Sequence, residues 1–261
     1  MGNFLRWKGL FAAVSCYYVS ERQGNSSRKR HTAGRPVIMK NQAPSGAVRA
    51  PVRKLYISDL HFFHENLNHR MDRRGFADRE EMNNYMINQW NAKVSNRDEV
   101  YILGDFSVSK GKTTNSILAL LNGRKYLIEG NHDEFLKDRQ FDRSAFEWIR
   151  PYAEISDNRR RVILCHYPVF CYNGQYRKRK EAPFVYMLYG HVHNTHDEYL
   201  VDSFIKQTRS TEVTLAHAAG PSPIPCQMIN CFCMFSDYTP LTLDEWIEND
   251  RIRREKTSYS T

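Results

Sequence analysis

Residues 54–61 read KLYISDLH. Lys54-Leu-Tyr-Ile57 is a short β-prone run, and Asp59 and His61 stand directly behind it. The same arrangement recurs down the chain. Val100-Tyr-Ile-Leu103 leads to Gly104-Asp105, and Lys125-Tyr-Leu-Ile128 leads to Glu129-Gly130-Asn131-His132-Asp133. Arg161-Val-Ile-Leu-Cys165 leads to His166-Tyr167-Pro168, and the run 184–189 leads to Gly190-His191-Val192-His193. Between the first two runs, residues 79–93 carry Met82, Tyr85, Met86 and Trp90 at helical spacing. Thr113 opens a second helix bearing Ile117, Leu118, Leu120 and Leu121. Residues 228–234, with Cys231 and Cys233 at alternate positions, read as a closing strand, followed by a helix from 242 to about 249. Short apolar strands alternating with helices predict one α/β domain over 52–249.

In open α/β sheets ligands bind beyond the carboxyl ends of the strands, so five such ends converge on one candidate site. The side chains there are carboxylates, a carboxamide and imidazoles, with no cysteine. That donor set suits first-row divalent metals such as Mn, Fe, Ni or Zn. Asp59-x-His61 and His191-x-His193 each place alternate side chains on one side of an extended segment, so both members reach one ion. A carboxylate such as Asp105 has two oxygens and can bridge two ions. Seven ligands with one shared make two four-ligand shells with room for water, an open arrangement suited to catalysis. Taken singly, each residue reads more simply: a histidine after a strand as a hydrogen-bonded structural residue, a Gly-Asp as a turn. Five in order, each behind an apolar strand, do not.

Asp-x-His, Gly-Asp, Gly-Asn-His-Asp, His and Gly-His-x-His, in that order across about 52–249, resemble the calcineurin-like metallophosphoesterases. The phrases His61-Phe-Phe-His64-Glu-Asn66, Tyr101-Ile-Leu-Gly-Asp-Phe106 and Asp237-Tyr-Thr-Pro240 are similar to a small bacterial and phage branch. The resemblance implies a four-layer αββα sandwich, two β-sheets flanked by helices. It implies two divalent metal ions, Mn first, with Fe, Ni, Zn or Mg as alternatives. One would be held by Asp59, His61, Asp105 and His193, the other by Asp105, Asn131, His166 and His191. The implied reaction is hydrolysis of a phosphomonoester or phosphodiester by attack of a metal-bridging hydroxide. His132 would be the catalytic general acid and a donor to phosphate oxygen. His64 and Asn66, just beyond the first pair, are candidate substrate contacts, or else begin a helix with Asn66 as its cap. Arg177-Lys-Arg-Lys180 falls between His166 and His191 in sequence, so its loop is expected near the site, as a solvated loop or a phosphate-steering one.

Around this domain the composition is that of an ordinary globular protein: 261 residues, 41% hydrophobic and 26% charged. No run approaches the roughly 18 apolar residues of a membrane span. The net charge of +9 lies entirely in residues 1–53, which hold ten Lys or Arg against the single acid Glu21. The other 208 residues balance. Residues 1–51 therefore read as a basic, disordered leader, with Met39 as an alternative start, and 250–261 as a polar tail. A neutral body argues against a nucleic-acid groove, so the expected partner is a phosphorylated small molecule or nucleotide, with no stable nucleic-acid partner and no membrane. Six cysteines without CxxC pairing read as reduced thiols in the cytoplasm. The insertion 195–225 is the only sizeable one, too short for a long capping domain. Two other functions compete with hydrolysis: a non-catalytic scaffold on the same fold, which retention of His132 and every ligand position opposes, and a nuclease of the same superfamily.

Overall fold

The computed structural model describes residues 51–214 and 220–258. The leader up to residue 50, Met39, Cys16 and the last three residues lie outside the described residues. β1 (Lys54–Ile57) is followed by a π-helical turn at Leu67–Met71 and by α1 (Arg79–Lys93). Next come β2 (Glu99–Ile102), α2 (Gly111–Leu120), β3 (Arg124–Ile128) and β4 (Trp148–Arg150). β5 (Tyr152–Asp157) and β6 (Arg160–Cys165) form one hairpin, and β7 (Lys178–Arg179) and β8 (Ala182–Pro183) a second. β9 (Val185–Tyr189), α3 (His196–Arg209), β10 (Glu212–Val213) and β11 (Ser222–Pro223) precede β12 (Met228–Asn230), β13 (Leu241–Thr242) and α4 (Leu243–Ser258).

Two sheets dominate. One has the order β13-β1-β2-β3-β4, parallel except for β13, and the other the order β12-β9-β6-β5, parallel except for β5. The inner strands β1, β2, β3, β6 and β9 are apolar on both faces because both faces are covered, which is why those sequence runs do not alternate with polar residues. Leu55, Ile57, Val100, Ile102 and Leu127 pack on one side of the first sheet with Met86 and Trp90 of α1 and Leu118 of α2. Tyr56, Tyr101, Leu103 and Tyr126 point the other way, onto Val162, Leu164, Leu188 and Ile229 of the second sheet. The far side of that sheet, through Ile163, Met187 and Tyr189, meets Val201 and Ile205 of α3. The layers are therefore helices, sheet, sheet, helix, the αββα sandwich. Stacked rings of Tyr56, Tyr101 and Tyr126, with centroids 5.5 and 4.6 Å apart, run across the middle of the inter-sheet core. At its edge Trp246 of α4 donates to the Tyr56 carbonyl at 2.9 Å.

Three segments differ from the sequence reading. The closing strand stops at Asn230 instead of running to 234. Asn230 Oδ1 accepts the Phe232 N–H, and a 3-10 turn takes over at Cys233–Ser236. The last helix continues to Ser258, with Arg253 paired to Glu198 and Arg254 to Asp202 on α3. Residues 196–209, read only as part of an insertion, are α3, started by Thr195 accepting the Asp197 N–H. The five described cysteines are free thiols, and no described helix is long and apolar enough to cross a membrane.

Candidate metal centre

The loops after β1, β2, β3, β6 and β9 meet at one end of the two sheets. The ligand-capable atoms of Asp59, His61 and His193 lie within 4.8 Å of one another, and so do those of Asp105, His166 and His191. Asn131 joins the second group, its Oδ1 3.0 Å from His166 Nε2 and 2.8 Å from His191 Nδ1. Asp105 stands between the groups. Its Oδ2 is 3.4 Å from His61 Nε2 and 3.5 Å from His166 Nε2, while Oδ1 accepts the His132 N–H at 2.8 Å. All seven residues expected as ligands are thus brought together.

They do not get there as extended segments. Asp59, His61, Asp105, His191 and His193 all have φ between 48° and 72°, the left-handed region that costs non-glycine residues about 1–2 kcal/mol each. Such strain persists where the surroundings over-determine it. Here those surroundings are close-packed glycines and one buried carboxylate. Gly104, at φ 89°, turns the chain out of β2, and a Cβ there would overlap the His166 ring. A Cβ on Gly130 would overlap the Asp105 backbone and carboxylate. Buried Asp133 accepts N–H bonds from Asp105, Phe106 and Gly130 at 3.0, 2.7 and 2.9 Å, tying the β2 and β3 loops together. Burial pushes its own carboxyl up to about 7.

The imidazoles are oriented from behind. His166 Nδ1 lies 2.8 Å from the Leu103 carbonyl, and His193 Nδ1 lies 2.8 Å from Asp72 Oδ1. A carbonyl or carboxylate oxygen only accepts, so each Nδ1 carries the proton and each Nε2 turns inward. This is how metal-binding histidines are held. His61 Nε2 and His193 Nε2 converge to 3.2 Å, so two ring nitrogens are aimed at one point. The residues fit divalent cations. Burial alone would lower the pKa of His166 and His193, but Asp105 holds the first and Asp59 and Asp72 the second up to about 9. At His61 burial outweighs the nearby Asp105 and Asp59 carboxylates and brings the imidazole down to about 3. Burial opposes the charged Asp59 carboxylate, yet the His193 hydrogen bond holds it well below the usual range.

His132 is exposed at the mouth, its ring centroid 5.4 Å from that of His61. His64 is half-buried beside the same ring at 5.6 Å, and its Nδ1 accepts the Leu67 N–H at 3.4 Å. His64 therefore does the capping expected of Asn66. Asn66 itself has helical φ and ψ, caps nothing and makes no hydrogen bond to either group among the described residues. The loop 177–180 does not overhang the site. Phe184, at the entry to β9, donates its N–H to the Arg177 carbonyl. From there β9 runs away toward His191, about 20 Å distant at roughly 3.3 Å per residue. Asp133 lies within the Gly-Asn-His-Asp motif but was given no role of its own, and Asp72 and Arg74, which orient ligands, carry no strand-end signature.

Comparison with known proteins agrees with this geometry. The sequence profile of the calcineurin-like phosphoesterases matches residues 52–252. An uncharacterized protein of the archaeon Methanocaldococcus jannaschii is 32% identical over 182 residues, covering 68% of this chain and 90% of that one. The gene 66 protein of Mycobacterium phage L5 is 42% identical over 84 residues, 30% of this chain and 38% of its own length. A protein of unknown function from Aquifex aeolicus, solved by crystallography, has the same fold. Its TM-score is 0.51 at 23% identity, with 75% of this chain and 97% of that one covered. With the profile spanning the whole sandwich and all its strand-end loops, the chain belongs to the calcineurin-like phosphoesterase family.

Proposed function

We propose that the chain is a phosphoesterase hydrolysing a phosphomonoester or phosphodiester, dependent on two divalent metal ions with Mn as the first candidate. The observation that supports this most directly is the Asp105 carboxylate, whose Oδ2 stands within 3.5 Å of one histidine from each group. A single anion so placed is suited to serve two cations. Asp59, His61 and His193 would complete one shell, and Asn131, His166 and His191 the other. When bound, the two cations would supply Lewis acidity, acidifying water and neutralising phosphate oxygens.

The chain's own groups do the rest. Asp105 Oδ1 holds the His132 backbone, so the bridging carboxylate also fixes the loop that carries the imidazole. That imidazole, exposed beside His61, would donate a proton to the leaving alkoxide. Asp59, His61, Asp105, His166 and His193 are each 3% exposed or less, and this burial strengthens the charge interactions among them.

The test is hydrolysis of an aryl phosphate by chelated protein, before and after addition of Mn, Mg, Ni or Zn. No turnover by the chelated protein and recovery with metal, Mn most strongly, is expected. Full turnover with metal content confirmed near zero would overturn the reading.

A further inference from the structure

The end of the second sheet opposite the metal centre holds a strongly basic groove. The β5–β6 turn brings Arg159, Arg160 and Arg161, and the β7–β8 hairpin brings the run 177–180, Arg-Lys-Arg-Lys. Arg159, Arg160, Arg179 and Lys180 line one cavity of about 380 Å³. Half-buried Phe184 lines it too, and also two neighbouring cavities of about 410 and 280 Å³. Each is on the scale of a small-ligand cleft, roughly 300–1,000 Å³. The three adjoin at Phe184, which puts an aromatic residue between the two sets of cations, with the carboxylate Glu154 lining the cavity beside Arg161. Among the described residues, Arg159 and the four bases of 177–180 form no ion pair, whereas Arg160 pairs with Asp244 and Arg161 with Glu154.

Both turns are built to present cations. Asn158 and Arg159 have φ of 43° and 65°, and Lys180 and Glu181 have φ of 51° and 64°. Each is a two-residue turn of the kind that glycine and asparagine favour, yet Arg159 and Lys180 occupy left-handed positions. A charged side chain stands where a smaller residue would fit with less strain.

We propose that this groove binds single-stranded nucleic acid. Guanidinium forks match phosphate oxygens, and a strand lying along the furrow would set bases against the Phe184 ring. A duplex hides its base faces and could not use Phe184. An acidic peptide would use the cations but gains nothing particular from the ring. The site is separate from the proposed hydrolytic centre, about 20 Å away along β6 at roughly 3.3 Å per residue, and stands whether or not that centre turns over.

The experiment is fluorescence anisotropy of a labelled 12-nucleotide thymidine oligomer with the metal-loaded full chain, the oligomer checked intact on a gel. The combined variant Arg159→Ala, Arg179→Ala, Lys180→Ala changes only exposed side chains and keeps residues 1–50, so the leader's own charge is common to both proteins. The variant should bind at least tenfold more weakly at low salt. The slope of log K against log salt should become shallower by about 2, at about 0.7 per phosphate contact on a single strand. Phe184→Leu keeps an apolar side chain on the core and removes the ring, and should weaken binding about fivefold or more, the lower end of what a base stacked on an aromatic side chain is worth. Equal affinity of the triple variant and the parent would overturn the proposal, leaving the leader as the only binder. So would an unchanged Phe184→Leu, or displacement of the oligomer by a glutamate peptide of equal charge as readily as by unlabelled oligomer. That last result would make the groove a surface for an acidic protein.

Discussion

His193 is braced by Asp72: the ring Nδ1 lies 2.8 Å from Asp72 Oδ1, and Oδ2 of the same carboxylate lies 2.9 Å from the Arg74 guanidinium. Both the Asp72 and Arg74 side chains are buried, so neither has water as a substitute partner. Asp72→Ala should free the imidazole and weaken metal binding in the Asp59–His61–His193 group about 10–100-fold, the usual effect of losing such a partner. The Asp105–His166–His191 group should keep its ion. Titration of chelated protein followed by elemental analysis reads both, and two ions held at parental affinity would refute the bracing role.

Asp105→Asn should loosen both metal positions, because one anion is shared between them. His193→Ala should affect one. Metal stoichiometry after gel filtration separates the two, and full retention of two ions by both variants contradicts the shared-carboxylate arrangement.

His132→Ala should cost an alkyl phosphoester substrate about 10²–10⁴-fold in rate, the scale of general acid catalysis. A nitrophenyl ester, whose leaving group is stable without a proton, should lose less, and metal content should not change. Equal losses on both substrates would assign the imidazole to holding phosphate oxygens instead.

Stability at low pH should depend on Asp98. Burial alone would raise its carboxyl, but the Arg53 guanidinium at 2.6 Å and the Ser95 N–H bring it down to about 2. With the folded value below the unfolded one, the stabilisation is complete above about pH 4 and fades as pH falls toward 2. Asp98→Asn should lower the neutral-pH stability by about 1.5–3 kcal/mol, as for other hydrogen bonds to charged groups. Its Tm should approach that of the parent near pH 2. Deleting residues 1–50 keeps Arg53, and the Tm should stay with it. A truncated chain that melts early would mean the leader packs on the domain.

The metal centre was legible because each of its strands is buried on both faces. The first polar residues after Ile57, Leu103 and Ile128 then mark the strand ends without ambiguity. Local conformation was not legible: nothing in Asp59-Leu-His61 announces left-handed backbone, which the neighbouring loops impose. Asp72 was invisible for a related reason, since its contact with His193 spans 121 residues and the local sequence reads as a basic loop. α3 was missed because Tyr199 and Leu200 are exposed apolar residues that blur the stripe made by Val201 and Ile205. The balanced charge of the body concealed the groove, because net charge averages over a surface, while the fold gathers residues 159–161 and 177–180 into one place.

The Trp246–Tyr56 hydrogen bond and the β1–β13 pairing join the first strand of the sandwich to its last elements. The two ends of that bond are 190 residues apart, which at 5–20 residues per second is roughly 10–40 s of translation. During that interval β1 has neither its outer neighbour nor the indole that closes the edge of its aromatic face. The nascent chain must therefore carry an open, tyrosine-lined sheet edge until its final helix leaves the ribosome, and any stop codon ahead of 246 strands it there.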